Sequence, residues 1–247
     1  MNLVIDIGNT ALKAAVFKGD KFVQHASYLP AQAFRELQKL AKRNPHISHS
    51  IISSVAGADK QLIKLLSSKT TLLTLSHKTP LPFINCYTTP STLGLDRIAS
   101  VAGAQKKFPQ KNVLVIDAGT CIKYDFINQK SEYLGGSISP GLMMRFKALH
   151  NFTERLPLIK PEQVKVITGD STKNSILTGV VLGMTNEIKG LIEQYRTKHY
   201  DLKVILTGGD ADFLGRQLKS SIFAAPYLTL EGLHEILKHN VRYKKGN

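Results

Sequence analysis

Two aspartate-glycine turns carry the residue types that bind phosphate groups. The first is Asp6-Ile7-Gly8-Asn9-Thr10 with Lys13 beyond it, and the second is Asp117-Ala118-Gly119-Thr120 with Lys123 beyond it. Glycine lets the backbone approach a ligand closely, and exposed N–H groups with Asn and Thr side chains bind phosphate oxygens. The aspartate suits Mg²⁺, and Lys13 supplies a point charge for a β- or γ-phosphate. The same sequence also forms ordinary strand-end turns, but two copies in matching contexts favour phosphate binding.

A carboxylate and a guanidinium stand side by side in Leu93-Gly94-Leu95-Asp96-Arg97, between a proline-bearing loop and an amphipathic helix. Asp96 is suited to accept a proton from a substrate hydroxyl that attacks a γ-phosphate. Arg97 is suited to hold an anionic group of the same substrate. The alternative is a first-turn aspartate that interacts with the helix dipole, beside a surface arginine. These residues alone leave both interpretations open.

A third glycine-rich site, Thr207-Gly208-Gly209-Asp210, follows a predicted strand and precedes a predicted helix. Amides at a helix N-terminus bind anions, although Gly-Gly-Asp also makes an ordinary turn and helix cap. The segment Gly135–Gly141 predicts a further close backbone approach ahead of a helix, or a simple glycine-rich connection. Neither GxxxxGK[ST] nor a GxGxxG after a strand occurs, which argues against a Walker fold and a Rossmann site.

The elements that must position these residues form an internal repeat. In each copy an apolar strand enters an Asp-x-Gly turn, two further strands follow, and strand–helix units come after them. The repeat predicts an α/β fold of two similar actin-like subdomains, of the sugar-kinase, Hsp70 and actin type, around a central cleft. We place the division at residues 1–112 and 113–247. Predicted strands cover 2–6, 11–18, 22–28, 50–55, 71–75, 112–117, 121–127, 133–138 and 203–207. Predicted helices cover 32–43, 60–67, 96–107, a segment from about 140, 173–198, a segment after 210, and 231–238.

The composition narrows the class of protein. The 247 residues include 33 Lys and Arg against 18 Asp and Glu, for a formal charge of +15, yet the basic residues form no long run. A solvated basic surface is the preferred interpretation, phosphorylated metabolites come next, and nucleic acid is last. No apolar run approaches the length of a membrane span. Two cysteines make no disulfide framework or metal cage. A soluble cytoplasmic protein is therefore expected.

The motifs together resemble the type III pantothenate kinases of bacterial coenzyme A synthesis, and the resemblance covers nearly the whole chain. It is carried by the order and spacing of several segments: Asp6–Thr10 with Lys13, Tyr87–Pro90 leading to Gly94–Arg97, Asp117–Thr120, Gly135–Gly141, Thr172–Gly179 and Thr207–Asp210.

The resemblance implies ATP-dependent phosphorylation of pantothenate to 4′-phosphopantothenate, with Mg²⁺, and Asp96 as the proton acceptor. ATP would be bound by Asp6, Ile7, Gly8, Asn9, Thr10, Ala11, Leu12, Lys13 and Thr120. Pantothenate would be bound by Tyr87, Gly94, Leu95, Asp96, Arg97 and Thr172. The resemblance also implies a monovalent cation, K⁺ or NH₄⁺, at Asp117 and a homodimer whose sites lie at the subunit interface.

One departure from the family pattern concerns Lys123, because the family usually has small residues and a threonine after the second turn. A lysine near Asp117 would weaken or replace the monovalent cation. Because strand alternation separates position 123 from Thr120, we predict that Lys123 lies off the site and that the cation is retained. Two alternative functions are a kinase for another small hydroxy acid, and a non-catalytic transcriptional regulator that binds ATP or nucleic acid.

Overall fold

The computed structural model describes residues 1–8, 11–54, 60–218 and 222–246, with side chains of the last helix as far as Arg242. The chain forms two compact units, Met1–Pro109 with Tyr227–Asn247, and Gln110–Pro226. The sequence-based division at residue 112 lies close to the first boundary. It differs at the C-terminus, because residues 227–247 belong to the first unit.

The first unit contains a five-stranded mixed sheet with the strand order β3 (Lys21–Tyr28), β2 (Leu12–Lys18), β1 (Asn2–Ile7), β4 (His49–Ser54) and β5 (Thr71–Thr74). Strand β1 pairs antiparallel with β2 and parallel with β4. The first unit also contains the two-residue strand β6 (Ile84–Asn85). The helices of this unit are α1 (Ala33–Arg43), α2 (Lys60–Ser67), α3 (Leu95–Lys107) and the C-terminal Leu228–Gly246. Short 3₁₀ turns cover Pro30–Gln32 and Pro90–Thr92.

The second unit repeats this topology, with the order β11 (Phe223–Ala224), β10 (Lys203–Thr207), β7 (Val113–Ala118), β8 (Cys121–Ile127) and β9 (Glu132–Pro140) among its own strands. Strand β7 pairs antiparallel with β8 and parallel with β10. The helices of the second unit are α4 (Leu142–Asn151), α5 (Thr172–Leu177), α6 (Gly183–Lys198) and α7 (Ala211–Leu218). The C-terminal helix Leu228–Gly246 is α8. The internal repeat is thereby confirmed as two sheets with the same strand order.

Most predicted elements are confirmed with ends that differ by a few residues, and α2, β8 and β10 have the predicted bounds. The predicted helix 173–198 contains a π-helical turn, Thr178–Leu182, between α5 and α6. The last helix begins at Leu228 and extends well beyond the predicted 231–238.

Alternating residues of each sheet form one apolar core per unit. In the first unit Leu3, Ile5 and Leu12 pack against buried side chains of α1 and α2. In the second, Ile116 and Ala118 pack with α4, α5, α6 and α7. Because side chains alternate along a strand, the residues between these core positions, including the turn aspartates, lie on the opposite sheet face.

Helices α3 and α8 pack with their backbones in close contact in the first unit. A Cβ built on Gly232 would overlap the carbonyl oxygen of Ala99, and one built on Gly103 would lie 2.5 Å from the carbonyl oxygen of Leu228. Glycine at both positions permits this approach, which positions the start of α3. Among the described residues, no helix is both long and apolar enough to cross a membrane.

Candidate active site

The first Asp-x-Gly turn lies where β1 ends and β2 begins. The Gly8 N–H donates a hydrogen bond to the Ala11 carbonyl oxygen at 3.0 Å. Asp6 lies directly opposite Lys13 in the β1–β2 ladder, so both side chains are on the same face of the sheet. Leu12 is buried in the core, so its backbone alone is available to a ligand. Ile7 also packs partly against this core, so its backbone is likewise the part available to a ligand.

Two residues of the predicted phosphate site, Asn9 and Thr10, lie outside the described residues. The described part of the turn therefore consists of Asp6–Gly8 and the strand that starts after Ala11.

The start of α3 brings together three of the predicted substrate residues. The Arg97 guanidinium carbon lies 5.5 Å from the centroid of the Tyr87 ring, a cation–π distance. The Arg97 backbone N–H donates to Oδ1 of Asp96 at 2.9 Å. Gly94 precedes the helix, and a Cβ on it would lie 2.5 Å from this same Oδ1. Glycine at position 94 therefore leaves room for the Asp96 carboxylate, while Leu95 begins the helix and is half-buried.

Arg97 is 5% exposed although it carries a permanent charge. A buried guanidinium is costly unless charged or polar groups surround it. The surface-arginine alternative is therefore wrong for Arg97. Its burial beside Tyr87 and Asp96 fits a group that binds an anion at the start of α3.

Two glycine-rich segments of the second unit, Gly135–Gly141 and Thr207–Asp210, meet at the second Asp-x-Gly turn. The Gly141 N–H donates to the Thr120 carbonyl oxygen at 3.2 Å, and the Asp210 N–H donates to the Ala118 carbonyl oxygen at 2.9 Å. Gly208 has φ +97°, and a Cβ on it would lie 2.6 Å from Oδ1 of Asp117. The segments that the sequence singled out separately thus form one backbone cluster, with Thr120 exposed at its surface.

A polar network that sequence reasoning missed supports this cluster. Arg145 donates to the Pro140 carbonyl oxygen at 2.8 Å and pairs with Glu187 at 2.5 Å. The hydroxyl of Tyr124 donates to Glu187 at 2.9 Å, and burial raises the pKa of this tyrosine strongly. The available signal was helical spacing: Glu187 lies three residues after Met184 and four before Leu191 on α6, where an apolar residue would be usual.

Lys123 reaches the carboxylate of Asp117. Its Nζ lies 2.7 Å from Oδ2 of Asp117, and the two side chains are 17% and 16% exposed. The expectation that Lys123 lies off the Asp117 site is therefore wrong. Strand alternation relates Lys123 only to Thr120, which precedes β8, whereas Asp117 and Lys123 are register partners across β7 and β8 and share a face.

The ion pair between Lys123 and Asp117 bears on whether a separate monovalent cation fits at Asp117. The ammonium group already contacts Oδ2, and the Gly208 backbone lies next to Oδ1. A second cation would be attracted by the single carboxylate charge and repelled by the ammonium charge, each by about 4 kcal/mol at about 4 Å and the effective dielectric near a protein surface, so the two contributions cancel. The residues present therefore do not fit an additional K⁺ or NH₄⁺. No cluster of three or more His, Cys, Asp or Glu side chains occurs in the described ranges either.

Thr172, the remaining predicted substrate residue, is exposed at the start of α5 in the second unit. Ser171 caps this helix by accepting a hydrogen bond from the Asn174 N–H at 3.3 Å. The local sequence thus sets the position of Thr172 at a helix N-terminus.

Comparisons with known proteins identify the family of this chain. The family model described as type III pantothenate kinase matches residues 2–194. A type III pantothenate kinase of Christiangramia forsetii is 49% identical over 240 residues, which cover 97% of this chain and 99% of the relative. One of Flavobacterium johnsoniae is 42% identical over 241 residues, covering 98% and 99%.

Solved structures share the fold at low sequence identity. The ADPNP-bound activator of 2-hydroxyisocaproyl-CoA dehydratase from Clostridium difficile has a TM-score of 0.55 at 14% identity, covering 100% of this chain and 97% of that one. Component A of the (R)-2-hydroxyglutaryl-CoA dehydratase of Acidaminococcus fermentans has a TM-score of 0.55 at 16% identity, covering 99% and 98%. The α/β fold with two mixed sheets is thus the actin-like fold of sugar kinases and ATPases, as predicted. With a family model that spans most of its length and relatives of over 40% identity, the chain belongs to the type III pantothenate kinase family.

Proposed function

We propose that this chain transfers the γ-phosphoryl group of ATP to the primary hydroxyl of pantothenate, which forms 4′-phosphopantothenate and ADP at the start of coenzyme A biosynthesis. Family membership supports the reaction. The observation that carries the assignment of residues is the meeting of Tyr87, Asp96 and Arg97 at the start of α3.

Asp96 accepts the proton of the substrate hydroxyl. At the same time the hydroxyl oxygen bonds to the γ-phosphorus of ATP, and the bond between the γ-phosphorus and the bridging oxygen breaks so that ADP leaves. The hydrogen bond from the Arg97 N–H to Oδ1 orients the carboxylate. The Arg97 guanidinium binds the carboxylate of pantothenate, and stacking on Tyr87 limits its motion. Gly94 and Leu95 contribute backbone contacts at the same helix start, and Thr172 is a further contact of the substrate.

The turn from Asp6 to Lys13 binds the phosphates of ATP. The Asp6 carboxylate is the kind of hard oxygen ligand that Mg²⁺ prefers, and Mg²⁺, when bound, offsets phosphate charge. Lys13, on the same sheet face as Asp6, interacts with a β- or γ-phosphate. The backbone of Ile7, Gly8, Ala11 and Leu12, with Asn9 and Thr10, completes this phosphate site, and Thr120 is a further contact of the nucleotide.

The proposed reaction includes no monovalent cation, because Lys123 already pairs with Asp117. We propose a cytoplasmic homodimer as the working form. Both cysteines are free, and Cys86 is exposed, which suits a reducing compartment. Phe152 is 88% exposed and Ile167 87% exposed, and apolar side chains of this kind suit a protein–protein interface. Light scattering after gel filtration measures the assembly directly.

A coupled assay of ADP release tests the proposed reaction over a panel of acceptors: pantothenate, pantothenol, pantoate, glycerate and gluconate. We expect pantothenate to have the highest kcat/KM. Pantothenol, which has a hydroxymethyl group in place of the carboxylate, should lose at least about tenfold in kcat/KM because Arg97 then lacks its anionic partner. Preference for another hydroxy acid would favour the alternative kinase, and absence of turnover with every acceptor would contradict the proposal.

A further inference from the structure

We propose that the side-chain ammonium of Lys123 takes the place of the monovalent cation at Asp117, so that this enzyme carries its own cation and requires neither K⁺ nor NH₄⁺. The inference rests on the proposed function, because it concerns the cation requirement of that reaction. It assigns to Lys123 the role of a positioning residue for the second Asp-x-Gly turn.

The contact joins the lysine ammonium directly to the carboxylate of Asp117. The distance of 2.7 Å between Nζ and Oδ2 is typical of a charge-assisted hydrogen bond, and both side chains are largely enclosed. On the other side of the carboxylate, Gly208 packs so closely that a Cβ would lie 2.6 Å from Oδ1. Lys123 thus holds the carboxylate that a dissociable cation would otherwise contact.

The chemistry of an ammonium group suits this substitution. A lysine ammonium carries one positive charge and three N–H donors, so it resembles a free ammonium ion with one hydrogen replaced by the side chain. Because the group is covalently attached, its occupancy of the site does not depend on the salt in solution. A threonine at position 123 would retain a hydroxyl oxygen and remove the charge, which would leave Asp117 open to a free cation.

The two repeats place a lysine at the same point. Lys13 is the register partner of Asp6 across β1 and β2, and Lys123 is the register partner of Asp117 across β7 and β8. The strand orders of the two sheets correspond, so these positions are structurally equivalent. A lysine opposite the turn aspartate is therefore a geometry that this fold accommodates in both units.

The test compares turnover in NaCl, KCl and NH₄Cl at one ionic strength and saturating ATP and pantothenate. We expect the rates of the unaltered enzyme to agree within about twofold in the three salts. Lys123→Thr should lose at least tenfold in NaCl and recover at least half of the original rate in KCl or NH₄Cl. Lys111→Thr is the matched control, because it removes one exposed ion pair with Asp201 from the same unit, and it should behave as the unaltered enzyme.

A binding measurement gives a readout that does not require turnover. Calorimetric titration with ATP and Mg²⁺ should give one Kd in all three salts for the unaltered enzyme. For Lys123→Thr the Kd should be at least about fivefold weaker in NaCl than in KCl. If the threonine variant melts below the assay temperature, Lys123→Met replaces it, because methionine keeps the approximate length of the side chain. The loss of turnover in NaCl is then measured on Lys123→Met.

Three results would overturn the inference: more than tenfold activation of the unaltered enzyme by K⁺ over Na⁺, full activity of Lys123→Thr in NaCl, or a folded Lys123→Thr that neither K⁺ nor NH₄⁺ restores. Failure of the proposed function would look different, because pantothenate-dependent ADP release would then be absent in every salt. The comparison of ATP affinities would still decide the role of Lys123 in that case.

Discussion

Lys13 and Lys123 occupy equivalent positions in the two units, each directly across an antiparallel strand pair from the aspartate of an Asp-x-Gly turn. The repeat thus reproduces the position of a charged residue as well as strand order. In the first unit we assign this lysine to the phosphates of ATP. In the second it pairs with Asp117 at 2.7 Å, so one repeated geometry carries two different roles.

Replacement of Asp96 by asparagine tests the proton acceptor. Asp96→Asn keeps the size of the side chain and an oxygen for the Arg97 N–H but removes the basic carboxylate. We expect kcat to fall by about 10²–10⁴-fold, the usual contribution of a general base. The Kd for ATP should change by less than about twofold.

Asp212→Asn is the matched control, since Asp212 is also an aspartate in the first turn of a helix and is exposed. It should leave kcat unchanged. A loss of less than tenfold in Asp96→Asn would exclude Asp96 as the proton acceptor.

Two Gly→Ala substitutions, one at the contact between α3 and α8 and one in α6, should change the free energy of unfolding in opposite directions. Gly232→Ala places a Cβ against the Ala99 carbonyl oxygen and should lower the free energy of unfolding by about 1–3 kcal/mol or more. Gly190→Ala, in the middle of α6, meets no atom within 4 Å and should raise it by about 0.5–1 kcal/mol. Denaturant unfolding measures both, and equal effects would show that the helices do not pack this closely.

The buried His234 predicts a loss of stability in mild acid. Its ring stacks on Phe17 with centroids 4.0 Å apart and lies 3.1 Å from the Asn2 amide nitrogen. Burial first, and then the charges of Lys106 and Lys238, lower its pKa from 6.5 to about 4. The unfolded chain therefore binds a proton that the folded chain does not bind between these values, so stability falls as the pH falls from 6.5 to 4, by about 3 kcal/mol in total.

Unfolding free energies at pH 7 and pH 5 check this effect. In His234→Gln the difference between the two pH values should be smaller than in the unaltered protein by about 2 kcal/mol. His46→Gln, at an exposed histidine, controls for the loss of one titratable side chain. An unchanged pH difference in His234→Gln would show that His234 is protonated equally in the folded and unfolded states.

The charge of +15 predicts weak, salt-dependent binding of duplex DNA. If the basic residues form a solvated surface, the Kd at physiological salt should lie at or above about 10⁻⁶ M, in the non-specific range. It should weaken by at least about tenfold between 50 and 200 mM salt, because binding releases counterions. Sequence-specific binding with a submicromolar Kd would instead favour the transcriptional regulator. Fluorescence anisotropy with two unrelated duplexes distinguishes these outcomes.

Much of the architecture follows from local sequence. Apolar alternation and Asp-x-Gly turns predicted β1, β7 and β8 and the internal repeat, because side-chain period and glycine at turns act over a few residues. The segment Gly94–Arg97 was placed correctly at a helix start for the same reason. The substrate contacts of these residues stay predictions until the assays above are made.

The tertiary structure decided what depends on residues far apart in the chain or across a strand pair. It placed α8 in the first unit, because Gly232 of α8 fits against α3. It also joined Arg145 to Glu187. It brought Lys123 to Asp117, since register partners share a face whatever their separation along the chain. Residue types and their spacing along the chain predicted the candidate site residues; pairing register and backbone packing decided which of them meet.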